Sequence, residues 1–271
     1  MSRQYYYLVA SLPQLRLDDY KIPYRVNDFI NEIAGALTEE HRVLVRDIMS
    51  FYDHADVIDR LKGAPDAAAE KDSAHEQSAA GLFSEDEERP FYGYLDEFQE
   101  AYRDKKTEEI PQRIELEHLL LDIFYRRMLG SPNHFVREYF LFDLTLRNIL
   151  VDLNLKRFQP DGSGYIALDA LGDAGDGQTG EIPKHLFRGA PYLTELEGHF
   201  EHNDIVRREH FIDQLRWKAI DDINTFSYFD IDILLGHLVR LLLLERWIAL
   251  DPQRGRDIFN ERIQTALSEH H

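Results

Sequence analysis

Residues 131–154 read SPNHFVREYFLFDLTLRNILVDLN. Phe135, Tyr139, Phe142, Leu146, Ile149 and Leu153 recur there at alternating steps of four and three, which lines one side of an α-helix with apolar groups. Ser131 and Pro132 suit an N-cap and a first helical position, so the spacing predicts a helix that starts at this pair. Immediately before it, Gly130 can end a helix that Pro111 opens and whose apolar face is Ile114, Leu121, Phe124 and Met128. Two long helices joined by Gly-Ser-Pro predict an antiparallel hairpin.

The same period runs outward in both directions. Val26, Phe29, Ile30, Ile33 and Leu37 share a stripe. Thr38 is a candidate N-cap for a following helix with Leu44, Ile48, Phe51 and Tyr52 on one face, which reaches Asp53. Toward the C-terminus, residues 204–223 place Ile205, Ile212, Leu215 and Ala219 together. Residues 231–250 form an apolar helix that Asp251-Pro252 breaks, and 256–267 read as a short last helix. No apolar/polar alternation extends beyond a few residues. The expected fold class is therefore all-α, built from several helical hairpin or bundle units.

Composition divides the chain. Residues 1–62 form an N-terminal helical domain, and 63–90, with GAPDAAAEKDSAHEQSAAG and SEDEERP, an acidic low-complexity linker. Residues 91–158 hold the central long-helix hairpin, 159–191 a Gly/Pro-rich irregular connection, and 192–271 a C-terminal helical domain.

With 31 Lys+Arg against 50 Asp+Glu, the formal charge is −19, and no basic run offers a nucleic acid or an anionic lipid surface a place to bind. The absence of cysteine excludes disulfides, thiol nucleophiles and Cys-ligated zinc, and suits a reducing cytosol. At the N-terminus, Tyr5-Tyr6-Tyr7-Leu8-Val9-Ala10 carries three phenols, meets Pro13 and lacks a small-residue cleavage site, so a secretory signal is not expected. The window 231–250 is about as long as a membrane span, but His237, Arg240, Glu245 and Arg246 interrupt it. Each central charge costs about 2.5 to 3.5 kcal/mol in a bilayer. A buried helix of a helical core is the expectation.

Candidate chemistry is sparse. GDGQTG at 175–180 lacks the Gly-Lys-Ser/Thr ending of a phosphate loop and has no strand before it. Glu115 and His118 have the spacing that lets a carboxylate and an imidazole reach one metal from a helix, but a di-iron bundle needs a second copy. His199, His202, Glu209 and His210 form another group, with the two histidines one turn apart if that segment is helical. These two sets support an alternative reading as a metal-binding helical bundle, and the 63–90 linker an alternative as a helical adaptor with a docking peptide. No catalytic, cofactor-binding or metal residue is assigned.

A recurrence remains. Phe51-Tyr52-Asp53-His54-Ala55-Asp56-Val57-Ile58-Asp59-Arg60-Leu61-Lys62 aligns with Asp143-Leu144-Thr145-Leu146-Arg147-Asn148-Ile149-Leu150-Val151-Asp152-Leu153-Asn154, which sets Asp53 on Thr145, Asp56 on Asn148, Val57 on Ile149 and Leu61 on Leu153. A short polar group, an Asx, a β-branched residue and a leucine then share a face, able to seat a helix junction.

On these residues the chain resembles the C-type socket component of the rotary V/A-type ATPases, which carries the letter d in eukaryotic naming, and more narrowly a divergent bacterial family encoded beside V-type ATPase genes. Tyr5-Tyr6-Tyr7-Leu8-Val9-Ala10-Ser11-Leu12-Pro13 is similar to the aromatic-rich start of that bacterial family. Asp143, Asn148-Ile149 and Leu153 are similar to the repeat element of the C-type family, although Thr145 stands where it favours Asp and Asn154 where it has Arg. Leu244-Glu245-Arg246-Trp247-Ile248 resembles the phrase of the last repeat. The resemblance implies three related helical domains around a pseudo-threefold axis. It also implies a non-catalytic cytoplasmic socket, peripheral to the inner membrane through protein contacts, that joins the central-shaft subunits to the membrane rotor ring in proton or sodium transport. Tyr5 to Leu8 would then pack as the lead-in to the first domain, with their hydroxyls at its edge.

Overall fold

A computed structural model describes residues 5–18, 22–61, 93–106, 113–158, 191–202 and 204–249, all of them in helices, turns or irregular connections. The protein is all-α. Its helices are α1 (Tyr6–Ser11), α2 (Val26–Ala34), α3 (Glu39–Ser50), α4 (His54–Leu61), α5 (Gly93–Lys106), α6 (Arg113–Leu129), α7 (His134–Phe158), α8 (Pro191–Glu201), α9 (Ile205–Ile223) and α10 (Ile231–Ala249). Three-residue 3-10 turns, Phe51–Asp53 and Asn224–Phe226, follow α3 and α9. The expected linker 63–90, the GDGQTG loop and the helix at 256–267 lie outside the described residues, as does Pro111. Pro191, placed by composition in the irregular connection, instead opens α8.

The hairpin forms between α6 and α7. Gly130 follows the last residue of α6, and its N–H donates to the Arg126 carbonyl at 3.2 Å. The start of α7 falls two residues later than Ser131-Pro132 predicts, because Asn133 is the better cap. Its Oδ1 accepts the Val136 N–H at 2.9 Å, while its own N–H donates to Ser131 Oγ at 3.3 Å. The Asn133 amide also donates to Asp232 Oδ1 at 2.6 Å, which fastens the hairpin tip to the start of α10. Thr38 caps α3 as expected, accepting from the His41 N–H at 3.3 Å.

The principal core draws on α2, α3, α4, α5, α6, the first half of α7, and α10. Helix α10 is buried over Leu234, Leu235, Leu238, Val239 and Leu241 to Leu244, and it packs on α2, α3, α7 and α9. This accounts for its long apolar runs: neighbours on most sides leave little surface that needs polar residues. No described helix is long and apolar enough to cross a membrane. Its buried His237 is satisfied by the Tyr24 hydroxyl at 2.8 Å. A second, smaller core joins Leu146, Ile149 and Leu153 of α7 to Leu196 and Phe200 of α8 and Phe211, Ile212 and Leu215 of α9.

Some expected core positions are not core. Ile114 and Ile205 are exposed, each in the first turn of its helix. Phe142 is only half-buried, since α7 turns Val136, Phe140 and Leu144 to the principal core on its other sides. The helix through Tyr52 passes into a 3-10 turn, and α4, which follows it, packs on α6. Gly236 marks where α10 passes closest to the end of α9: a Cβ there would lie 2.4 Å from Asn224 Nδ2 and 2.9 Å from Ile220 Cγ2.

Tyr5 fulfils the expectation for the N-terminal phrase. It is buried, its hydroxyl is 2.5 Å from His41 Nδ1, and its N–H donates to the Phe229 carbonyl at 2.5 Å. Tyr6 and Tyr7 instead face solvent.

Candidate functional site

Where α6, α7, α9 and α10 meet, charged groups are buried in an alternating series. Asp143 of α7 accepts from the Tyr125 hydroxyl of α6 at 2.7 Å and from Arg216 Nε of α9 at 3.0 Å. Arg216 Nη1 also donates to Asp213 Oδ1 at 2.9 Å, one turn earlier in α9. The second oxygen of Asp213 accepts from Arg246 and, at 2.7 Å, from Trp247 Nε1, both on α10. Arg246 then reaches Glu209 Oε2 at 3.7 Å. Asp213 is 0% exposed, so the middle of this series lies in the interior, where a charge requires its partner, while Arg246 and Glu209 at its end are more than a third exposed.

A cleft of about 90 Å³ opens against it, lined by Tyr52, Tyr139, Asp143, Arg216, Leu242 and Arg246 among others. Tyr52 keeps 42% of its surface exposed, while its phenol end lies in the cleft close to Arg216 and Asp143. Burial and the Asp143 charge hold the Tyr125 and Tyr139 hydroxyls well above the usual phenol range, so both stay neutral donors. Burial would lower the Arg216 guanidinium, but Asp143, Tyr139 and Asp213 more than offset it, and Arg216 stays charged. The chemistry available to this arrangement is that of a clasp: fixed charges, fixed dipoles and directional bonds across four helices.

The residues singled out for metal binding do not converge. Glu115 is exposed on α6, and His118 lies partly exposed one turn on. His199 stacks on Phe211 with ring centres 4.4 Å apart, and His202 lies past the end of α8. His210 Nε2 lies 2.9 Å from Asp18 Oδ1, and Glu209 faces Arg246. Among the described residues no three His, Asp or Glu side chains gather as a metal site requires.

A family model described as "Protein of unknown function (DUF2764)" matches residues 1–270. The chain belongs to the DUF2764 family. No curated protein and no solved structure matches it. In this DUF2764 chain the motif residues and the clasp coincide in part. Asp143 opens the central element, and Asn148, Ile149 and Leu153 behind it are buried. Glu245 accepts the Val26 N–H at the start of α2 at 2.8 Å, while Arg246 and Trp247 of the same phrase hold Asp213. In the first copy Val57 is half-buried, and the side chains of Asp53, Asp56 and Leu61 lie outside the described residues.

Sequence reading missed Tyr125, Asp213 and Arg216. A signal exists: Asp213 follows Ile212 and Arg216 follows Leu215, so each charge borders the apolar stripe of α9 at the (i, i+3) spacing of an ion pair.

Proposed function

We propose that this DUF2764 protein is a non-catalytic coupling subunit of a bacterial V-type rotary ATPase. It would stand between the central-shaft subunits and the membrane rotor ring, in the cytoplasm and held at the inner membrane by protein contacts, with its helical units set around a pseudo-threefold axis. The observation that supports this best is the role of the residues on which the resemblance rests. Asp143, Glu245, Arg246 and Trp247 all make hydrogen bonds between helices. A part that transmits torque needs stiffness and matched surfaces, and an all-helical body clasped by buried charge supplies the first.

The test is isolation of the tagged chain from its own host's membranes in mild detergent. Rotor-ring and shaft subunits are expected in the eluate in fixed ratio; recovery of neither overturns the proposal. Because the chain carries −19, its partners should present basic patches, and raising salt should release them. Association unchanged between low and high salt contradicts that part.

A further inference from the structure

Tyr139 of α7 is 4% exposed and lines the cleft beside the clasp together with Tyr52, Asp143 and Arg216. Its ring is held by Phe135, stacked at 5.6 Å between centres, and by Phe140, edge-on at 5.4 Å. Its hydroxyl is not held: among the described residues no group hydrogen-bonds to it, whereas the Tyr125 hydroxyl donates to Asp143 at 2.7 Å. A buried hydroxyl without a protein partner weakens a fold, so this one is explained by a group that enters from outside. Entry is open, since Tyr52 keeps 42% of its surface exposed and the Arg246 side chain 37%, and both line the same cleft.

The lining selects the chemistry of that group. Both Asp143 oxygens already accept, one from Tyr125 and the other from Arg216. The Tyr52 and Tyr139 phenols hold their protons and are free to donate them, so the incoming atom is an acceptor oxygen. A full negative charge is not called for, because Asp143, Asp213 and Glu209 outnumber Arg216 and Arg246 in the clasp. The lining also includes Ile48, Phe51, Phe140 and Leu243, which suit a hydrocarbon body. A volume of about 90 Å³ exceeds the ~30 Å³ of one water and falls short of the ~150 Å³ that encloses a benzene, so it takes on the order of five to seven non-hydrogen atoms.

We infer that the cleft between α7, α9 and α10 binds a small uncharged carbonyl compound, its cyclic or branched hydrocarbon body against Phe51, Phe140 and Leu243 and its oxygen accepting from the Tyr139 and Tyr52 hydroxyls. This goes beyond the rotary-ATPase reading and does not rest on it.

The test titrates the full chain with cyclopentanone, followed by NMR, against cyclopentane, which lacks the oxygen, and cyclopentanecarboxylate, which carries a charge. Cyclopentanone is expected to bind saturably and more tightly than either, with nuclear Overhauser contacts to the Tyr139 ring. Tyr139→Phe should weaken it by about threefold to tenfold, the loss of one hydrogen bond, while the urea midpoint does not fall, because the hydroxyl has no protein partner to lose. Tyr52→Phe, at the open side of the cleft, should weaken it in the same direction, and Tyr228→Phe, on the exposed connection after α9, should leave it unchanged. The inference is overturned by no saturable binding of cyclopentanone, by contacts that omit Tyr139, or by equal binding to the Tyr139 variant. It is also overturned by equal binding of cyclopentane, which would mean apolar filling alone, or by tighter binding of the carboxylate, which would mean an anion site.

Discussion

Asp213 accepts from Arg216, Arg246 and Trp247 while fully buried. Asp213→Ala removes the acceptor that Arg216, Arg246 and the Trp247 indole N–H share, leaving Arg216 only Asp143 and Arg246 only Glu209 among the described residues, and should cost roughly 3–5 kcal/mol in urea unfolding. A double-mutant cycle with Arg246→Ala should give measurable coupling through their direct pair, which Glu209 for Arg246 and Arg216 for Asp213 replace only in part. Two buried histidines set the response to acid. Burial, then Arg147, lowers His54 to about 3; burial, then Arg240, lowers His237 to about 4. Below about pH 6.5 the unfolded chain takes up protons that the folded one refuses, so stability falls between about pH 6.5 and 4, by on the order of 3 kcal/mol per histidine. Burial raises the Asp47 and Asp232 carboxyls, which gives a smaller, opposite contribution at lower pH. His237→Gln keeps a partner for Tyr24 yet cannot titrate, and its stability should fall less steeply across that window.

At the level of single helices, Gly236 and Asn133 are the positions where one residue governs an element. Gly236→Ala gains about 1 kcal/mol of helix propensity. It places a methyl against Asn224, whose amide is committed to the Asp232 carbonyl at 3.1 Å, and against Ile220, so overpacking of about 1–3 kcal/mol should prevail. Adding Asn224→Ala should return part of the loss, read as the melting midpoint of the double variant. Asn133→Ala removes both the α7 cap and the bond to Asp232, and should cost about 2 kcal/mol. Helix identity was legible where apolar residues keep the 3.6 period, as in α2, α3, α7, α9 and α10, and Thr38 was legible as a cap. The cap of α7 was not, because Ser131, Pro132 and Asn133 are all acceptable locally and the bond to Asp232, distant in sequence, favours the last. The clasp escaped for a related reason: an aspartate beside an apolar stripe looks like a solvated edge until a fourth helix covers it.

Across the whole molecule, the deepest burial runs through α6, α7 and α10, whereas α1 and the connection after α9 leave large rings in solvent. Native-state hydrogen exchange should therefore be slowest for amides of Leu234 to Leu244 and Phe140 to Leu146, and fastest in α1 and around Phe226. Equal protection throughout contradicts this grading. The buried charge series has a mechanical consequence. Apolar side chains tolerate one helix sliding along another, since one methyl serves much like the next. A guanidinium accepts its carboxylate in few orientations, and a slip of one turn, about 5.4 Å, would part Arg216 from Asp143 and Arg246 from Asp213 together. Helices α7, α9 and α10 are thus indexed to one another like meshed teeth, and one cannot slide along another without breaking both pairs at once.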